Sequence, residues 1–261
     1  MATVGDASRW PESLWDLAFF PSREQRLQNL ADTAEREDWE YHNSYAPGPL
    51  PVLFNFLEYT YRRLAEEEKF VMTPQGDALV YNTGLVTPYQ EPIFAYFELN
   101  QNPDQQQWYH NNWLKKSDWL LGKFPQLPDM ASYIDDPKKL VLDLNKELQV
   151  NVEHIVADNK ERFPEPYRSM NDFQLVQVVK GALDTAKERV RRNYKTAVPQ
   201  YYRGRIQLLL PLCLSDPSKA DLAITIEQGE YAYRAATCLT LDMAYNNARQ
   251  LARPDRDWLQ P

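Results

Sequence analysis

The chain has 261 residues, of which 43% are hydrophobic and 25% are charged, and its formal net charge at pH 7 is −8. This balance is typical of a globular protein and argues against a disordered one. The acidic total argues against a protein that coats nucleic acid indiscriminately, because attraction to phosphates grows with the number of cations presented. We expect one α+β domain over residues 1–261, with residues 1–48 forming a helical N-terminal extension packed on it.

In the first half of the chain, helical patterns give way to strand patterns near Phe70. Apolar residues three and four positions apart predict a surface helix over residues 24–38 and a longer helix that begins near Leu50 with proline in its first turn. After Phe70 the sequence is rich in β-branched and aromatic residues and is interrupted by turn residues. This pattern predicts strands near residues 70–73, 78–87 and 92–99.

The second half predicts three helices before its strands. The Asp before Pro137 fits an N-cap, so "DDPKKLVLDLNKEL" predicts a helix to about Leu148. Further helices are predicted over residues 150–162 and 171–195. The continuous apolar run "RIQLLLPLCL" predicts a strand buried on both faces. "DLAITIEQGEYAYRAATCL" predicts a hairpin with Gln228 and Gly229 as a two-residue turn, and "TLDMAYNNARQLA" predicts a final helix.

The predicted strands therefore form two groups, with helices before, between and after them. Such segregation favours an α+β fold over alternating βαβ units. We expect a largely antiparallel sheet of about six strands, flanked by helices.

The cysteines and the apolar segments indicate in which compartment the protein is expected and whether it binds a metal. Cys213 and Cys238 lie in apolar, strand-like contexts without the spacing of a zinc site, so we expect reduced core thiols and no bound metal. The N-terminus lacks the pattern of a secretory signal, and no segment approaches the length of a membrane helix. These observations predict a cytoplasmic protein that does not bind membranes; they identify no cofactor.

One segment is strongly basic, "AKERVRRNYKTAVPQYYRGR" at residues 186–205, with seven Lys or Arg, one Glu and three Tyr. Cations late in a helix complement its dipole, and cations with tyrosines suit phosphates and stacked bases. Both interpretations are open, as is contact with a protein partner. After Pro199, we expect Tyr201, Tyr202, Arg203 and Arg205 to approach the buried strand where a ligand can meet them.

A second candidate is "NVEHIVADNKERFP". On a helix, His154, Asp158 and Arg162 are four residues apart and form one polar line. A carboxylate one turn away can orient an imidazole and raise its basicity, as a general base requires. The alternative is an ordinary ion pair between Asp158 and Arg162 beside a structural histidine.

The sequence also makes predictions for four further residues. In "YNTGL", Asn82 and Gly84 tolerate positive φ and can form a tight turn whose backbone N–H groups hold an anion, although most such turns only change the chain direction. His42 and His110 lie in polar, aromatic neighbourhoods, where we expect them to pack within loops.

Several common catalytic motifs are missing from the sequence. It contains no GxxxxGK[ST], no GxGxxG after a strand, no GxSxG and no HExxH. The nucleotide hydrolase, dinucleotide-binding, esterase and zincin interpretations therefore lose their main support.

Four blocks taken together resemble a known domain family. They are "VYNTGLVTPYQEPIFAYFELN", "NVEHIVADNKERFP", "AVPQYYRGRIQLLLPL" and "ADLAITIEQGEYAYRAATCLTLDMAYNNARQLARPDRDWL". The resemblance is to an uncharacterised bacterial domain-of-unknown-function family whose members occur beside OST-HTH or cold-shock-type RNA-binding modules. It implies a task linked to RNA and implies no catalytic residues.

These observations lead to one main hypothesis and one alternative. The main hypothesis is an RNA- or nucleotide-binding domain in RNA metabolism, with phosphoryl-transfer or phosphodiester chemistry if His154 is catalytic. We expect one cleft to be surrounded by Asn82, Gly84, His154, Arg162, Tyr201 and Arg203. The ligand-binding residues are Asn82, Gly84, Arg162, Tyr201, Arg203 and Arg205. The alternative is a non-catalytic interaction or oligomerisation domain that forms a homodimer through the hairpin around Tyr231 and Tyr233.

Overall fold

The computed structural model describes residues 9–253, and its backbone contacts divide them into two compact units. The first unit comprises residues 9–40 and 46–132, and the second comprises residues 41–45 and 133–253. Each unit has its own sheet. The single domain expected from the sequence stays a prediction.

The described part of the first unit contains three α-helices and five strands. They are α1 (Leu14–Leu17), β1 (Ala18–Phe19), α2 (Arg23–Thr33), α3 (Pro51–Glu66), β2 (Val71–Met72), β3 (Ala78–Val86), β4 (Pro92–Leu99) and β5 (Trp108–Lys115). The strand order is β1-β5-β4-β3-β2, with β1 parallel to β5 and the other neighbours antiparallel. The predicted helix near Leu50 and the three predicted strands are confirmed.

Strand β5 was not predicted, because its sequence "WYHNNWLK" does not alternate regularly between polar and apolar residues. Its pairing with β4 shifts between Tyr96 and Phe97, so the inward-facing positions fall on Trp108, His110 and Trp113. An irregularity of this kind changes which face a side chain occupies, and it hides the two-residue period from the sequence.

His110 therefore lies in a strand of the core and not in a loop. Its ring is fully buried, stacks on Phe20 at 4.4 Å and contacts Trp113 at 4.3 Å between centroids. Neither ring nitrogen has a hydrogen-bond partner among the described residues. Burial, and to a smaller extent the charge of Arg26, lowers the pKa of His110 to about 3, so the imidazole is neutral in the folded protein.

This burial predicts a specific dependence of stability on pH. In the unfolded chain His110 binds a proton below about pH 6.5, whereas in the fold it does so only near pH 3. Stability is therefore lost as the pH falls through this window. We expect His110→Leu to remove about 2 kcal/mol of the loss between pH 7.5 and 5.0, measured by urea unfolding.

Tryptophan fluorescence suits this measurement, because six of the seven tryptophans belong to the first unit. The exposed His154 provides a control, since His154→Gln should leave the pH dependence of that signal unchanged. An identical pH dependence in the wild type and in His110→Leu would contradict the assignment of a buried, neutral His110.

The described part of the second unit contains five strands and three α-helices. They are β6 (Glu147–Gln149), α4 (Val152–Asn159), α5 (Asp172–Arg192), β7 (Val198–Tyr202), β8 (Arg205–Leu212), β9 (Leu222–Gln228), β10 (Ala232–Leu239) and α6 (Leu241–Arg249). The strand order is β6-β10-β9-β8-β7, with β6 parallel to β10 and the other neighbours antiparallel. The α+β class and the largely antiparallel pairing are confirmed, in two sheets of five strands each and not in one of about six.

The helix predicted from Pro137 to about Leu148 is wrong. Asp136 does accept a hydrogen bond from the Lys138 N–H, but only a short 3₁₀ helix, Pro137–Leu140, follows it. Asp143 then forms a local turn with Asn145, and the chain pairs with β10 as β6. Pairing with a distant strand and a local aspartate turn together override the helical pattern.

The two faces of the second sheet differ in character. One face carries Leu208, Leu210 and Ile224, which pack against apolar residues of α4 and α5. The other face carries Gln200 and Gln207. Helix α6 covers this face near β7, where Asn247 donates a hydrogen bond to Gln200. We call the first the apolar face and the second the polar face.

The predicted hairpin between β9 and β10 is confirmed, but its connection differs from the predicted two-residue turn. Residues 229–231 join the strands, and the N–H of Gly229 donates to the carbonyl of Ala232 at 2.9 Å. Tyr233 pairs with Gln228 as the first residues of the ladder.

A buried carboxylate holds residues 41–45 to the second unit. Asp242, in the first turn of α6, is 1% exposed and accepts hydrogen bonds from the N–H groups of His42 and Asn43 and from the hydroxyl of Ser44. The start of a helix favours negative charge, so this position suits a carboxylate. No helix within residues 9–253 is both long and apolar enough to span a membrane.

Candidate functional site

Asn82 and Gly84 belong to the first unit, where they form an irregularity inside β3. Gly84 has a φ of +76°, which fits the predicted role of glycine. Its N–H donates to Asn82 Oδ1 at 3.0 Å, and the Leu85 N–H donates to Thr83 Oγ1 at 3.1 Å. Because side chains of the segment already bind these N–H groups, the geometry gives no support to an anion site there.

His154 lies on α4 and forms the predicted contact with the carboxylate one turn away. Its Nε2 is 3.2 Å from Asp158 Oδ2, and the two side chains are 67% and 57% exposed. Val152, Ile155 and Val156 on the same helix pack into the core on the apolar face of the sheet. A histidine and carboxylate pair is therefore present, open to solvent, on the layer that covers the apolar face.

Arg162 leaves the polar line that the sequence predicts. α4 ends at Asn159, and residues 160–162 form a 3₁₀ turn that directs the guanidinium towards β10. Nη1 donates to Asn159 Oδ1 at 2.7 Å, to Thr237 Oγ1 at 3.2 Å and to the carbonyl of Cys238. These bonds tie the helix end to the sheet, which is a structural role; a role in ligand binding stays a prediction.

The basic segment at residues 186–205 divides into two parts. In the helical part, Lys187 is 3.6 Å from Asp184, Arg191 is 2.5 Å from Glu188, and Arg189 donates to the sulfur of Cys213. Cations engaged in this way offer little to a ligand. The second part is the hairpin of β7 and β8.

Tyr201 and Tyr202 point to opposite faces of that hairpin. Tyr201 is 8% exposed and packs edge-on against Tyr133 at 4.8 Å, whereas Tyr202 is 42% exposed. Successive residues in a strand alternate between faces, so only one of two neighbouring tyrosines can lie on each face. Stacking of a base on Tyr201, as expected from the sequence, does not fit this burial, and Tyr202 is the exposed aromatic residue.

The turn between β7 and β8 presents two arginines. Arg203 and Gly204 have φ values of +48° and +80°, and a type I′ turn requires positive φ at both central positions. The Arg203 guanidinium carbon lies 5.2 Å from the centroid of the Tyr202 ring, within the range of a cation–π contact. Within residues 9–253, neither Arg203 nor Arg205 forms an ion pair with a carboxylate.

The structure thus brings together Tyr202, Arg203 and Arg205. Tyr202 pairs with Arg205 across the ladder, on the polar face of the sheet, while His154 belongs to the layer on the apolar face. The sequence contained the information that Tyr202, and not Tyr201, shares a face with Arg205. Ile206, Leu208 and Leu210 mark the inward positions of β8, and a two-residue turn then pairs Arg205 with Tyr202 on the outward side.

The two tyrosines of the expected dimer surface, Tyr231 and Tyr233, differ in exposure. Tyr231 is 82% exposed in the loop before β10, but Tyr233 is 1% exposed and its hydroxyl accepts a hydrogen bond from the Asp143 N–H. Tyr233 is therefore a core residue, and the expected dimer surface keeps one of its two tyrosines.

Both cysteines are free thiols, as expected. Burial raises the pKa of Cys213, and it raises that of the fully buried Cys238 to about 12, so neither is poised as a thiolate. Among residues 9–253, no group of three or more His, Cys, Asp or Glu side chains is placed to hold a metal ion.

The different burial of the two tyrosines predicts different costs of truncation. Tyr201→Ala should lower the free energy of unfolding by about 3 kcal/mol because it leaves a cavity, whereas Tyr202→Ala should lower it by less than about 1 kcal/mol. Denaturant unfolding followed by circular dichroism measures both. Similar losses in the two variants would contradict the register of the β7–β8 hairpin.

Comparison with known proteins gives a family but no described relative. No curated protein matches the chain. No solved structure matches it either. One family model, a domain of unknown function, matches residues 30–258 and so covers most of the sequence, including the whole of the β7–β8 hairpin. The chain therefore belongs to the DUF3825 family.

Proposed function

We propose that the protein is an RNA- or nucleotide-binding domain and that the β7–β8 hairpin holds the ligand. One observation carries the proposal: an exposed type I′ turn presents Arg203 stacked over Tyr202, with Arg205 beside them, and neither arginine is engaged by a carboxylate in the described residues. Guanidinium groups bind phosphates through charge-assisted hydrogen bonds, and tyrosine stacks on any base.

The hairpin holds the two arginines close together without a carboxylate partner in the described residues. On the neighbouring helix, Lys187 and Arg191 lie against Asp184 and Glu188, whereas Arg203 and Arg205 form no ion pair in the described residues. Arg203 lies in the two-residue turn and Arg205 begins β8, so the paired strands on both sides of the turn limit the motion of the segment that carries both arginines. A rigid turn loses little conformational entropy on binding, which favours a ligand that engages both arginines.

The wider role is part of the proposal. The sequence resemblance supports a place in RNA metabolism beside OST-HTH or cold-shock-type RNA-binding modules, and we propose a cytoplasmic location with it. Phosphoryl-transfer or phosphodiester chemistry would need His154 as general base. Since His154 lies with the helices on the apolar face, we propose that binding at the hairpin does not involve it.

The first test of the proposal is the salt dependence of binding. Affinity for a fluorescent eight-nucleotide single-stranded RNA, measured by anisotropy, should fall steeply with salt. Arg203→Ala and Arg205→Ala should each weaken binding several-fold and reduce the slope of log K against log salt by about 0.7, the value for one phosphate contact. Arg191→Ala is the matched control, because Arg191 is paired with Glu188, and it should bind as the wild type does.

Equal losses in all three arginine variants would show a general effect of net charge and would count against the hairpin as the site. A flat salt response with no loss in Arg203→Ala or Arg205→Ala would refute the proposal.

The separation of His154 from the hairpin predicts that His154→Gln binds the same RNA with unchanged affinity. The His154 and Asp158 side chains are more than half exposed, so the substitution should not disturb folding. Incubation of labelled RNA with both proteins, resolved on a denaturing gel, tests the catalytic hypothesis in parallel. Cleavage by the wild type that persists in His154→Gln would return His154 to a structural role, whereas loss of binding would contradict the separation.

A further inference from the structure

A line of polar side chains crosses the polar face of the second sheet from one edge to the other. Gln200 on β7 pairs with Gln207 on β8, and Gln207 hydrogen-bonds Glu227 on β9. Glu227 pairs with Arg234 on β10, which pairs with Gln149 on β6. Five strands thus contribute five polar residues at one level of the sheet.

The buried end of this line is a directional chain of hydrogen bonds. Asn247 of α6 donates to Gln200 at 3.2 Å, Gln200 donates to Gln207 at 2.6 Å, and Gln207 donates to Glu227 Oε1 at 2.6 Å. Gln200 is 1% and Gln207 is 7% exposed, so both amides are held in place by the packing around them. These hydrogen bonds therefore fix the position of the Glu227 carboxylate. The Glu227 side chain is partly exposed to solvent.

The carboxylate keeps unused capacity to accept hydrogen bonds. Within residues 9–253, Glu227 Oε2 has no hydrogen-bond partner. Arg234 lies directly opposite in the ladder and is exposed, yet it forms no ion pair with Glu227 in the described structure. An ionised carboxylate has about four acceptor positions, and Gln207 uses one of them.

Glu227 shares its face with the proposed ligand-binding residues. Arg205 and Gln207 are two residues apart on β8 and point the same way, and Glu227 is the neighbour of Gln207 on the next strand. Diagonal neighbours on one face lie about 7–8 Å apart, within reach of long side chains. A base held at Tyr202 and Arg205 can therefore turn its edge towards Glu227.

We propose that Glu227 gives this site a preference for guanine in single-stranded RNA, an inference that rests on the proposed function. Guanine is the base whose Watson–Crick edge presents two adjacent donors, N1–H and the N2 amino group, which match the two oxygens of a carboxylate. Adenine and cytosine each present an acceptor next to their amino group, and uracil flanks its single donor with two carbonyls. Reading of unpaired bases on this edge is usual in RNA recognition.

Pentanucleotides test the preference directly. UUGUU, UUIUU, UUAUU and UUUUU, where I is inosine, differ at one base and carry the same phosphates. We expect the wild type to bind UUGUU about tenfold more tightly than UUAUU or UUUUU, in anisotropy measurements at fixed salt. Inosine lacks the N2 amino group, so UUIUU should bind with intermediate affinity.

Glu227→Gln assigns the preference to the carboxylate. Glutamine keeps the acceptor for Gln207 and the shape of the side chain, so the fold should persist, which circular dichroism can check. We expect the variant to bind UUGUU and UUAUU within about twofold of each other. Glu230→Gln is the matched control, because it removes an equal negative charge from an exposed position in the adjacent β9–β10 loop. It should retain the wild-type preference, because the Glu227 carboxylate is unchanged.

The outcomes separate this inference from the function on which it rests. Equal affinity of the wild type for all four pentanucleotides, with weaker binding by Arg203→Ala, would overturn the guanine preference and leave the RNA-binding proposal in place. A guanine preference that survives in Glu227→Gln would also overturn it. Absence of binding to every oligonucleotide would overturn both.

Discussion

The register of the β7–β8 hairpin is the constraint on which the site depends. Positive φ at Arg203 and Gly204 closes a two-residue turn, and this turn pairs Tyr202 with Arg205 and Gln200 with Gln207. A slip of one residue would move every side chain to the other face. The outward positions of β8 would then go to Ile206, Leu208 and Leu210, so burial of these residues in the core holds the register from one side while the turn holds it from the other.

The same sheet separates two physical environments. Its apolar face joins α4 and α5 in a core of aliphatic side chains. Its polar face is covered by α6 near β7 and becomes exposed towards β10, where Arg234 lies. A buried amide side chain is costly unless it forms hydrogen bonds. On the polar face, the hydrogen bonds that run from Asn247 to Glu227 satisfy the buried amides of Gln200 and Gln207. This buried network of hydrogen bonds also positions the partly exposed carboxylate of Glu227.

Local patterns made much of the fold predictable. The helix near Leu50, the strand that contains Asn82 and the longest helix were predictable from local patterns of apolar and β-branched residues. Strand β5 was not predictable because its pairing with β4 shifts in register, which interrupts the two-residue period. The segment after Pro137 was not predictable because its pairing with β10 involves residues distant in the chain. The site followed the same rule. For the proposed site, the sequence pointed to the arginines of the turn, but it favoured Tyr201 over Tyr202 and placed His154 beside them. The face and the layer on which a side chain lies depend on strand pairing, which the local sequence does not reveal.

Ultraviolet cross-linking can locate the RNA-binding surface of the full chain. The ligand is a short single-stranded RNA that contains guanine, and mass spectrometry identifies the cross-linked peptide. We expect the cross-link to fall on Tyr202, the exposed aromatic residue of the β7–β8 hairpin, or on its neighbours. Cross-links confined to α4 or to the first unit would contradict this expectation.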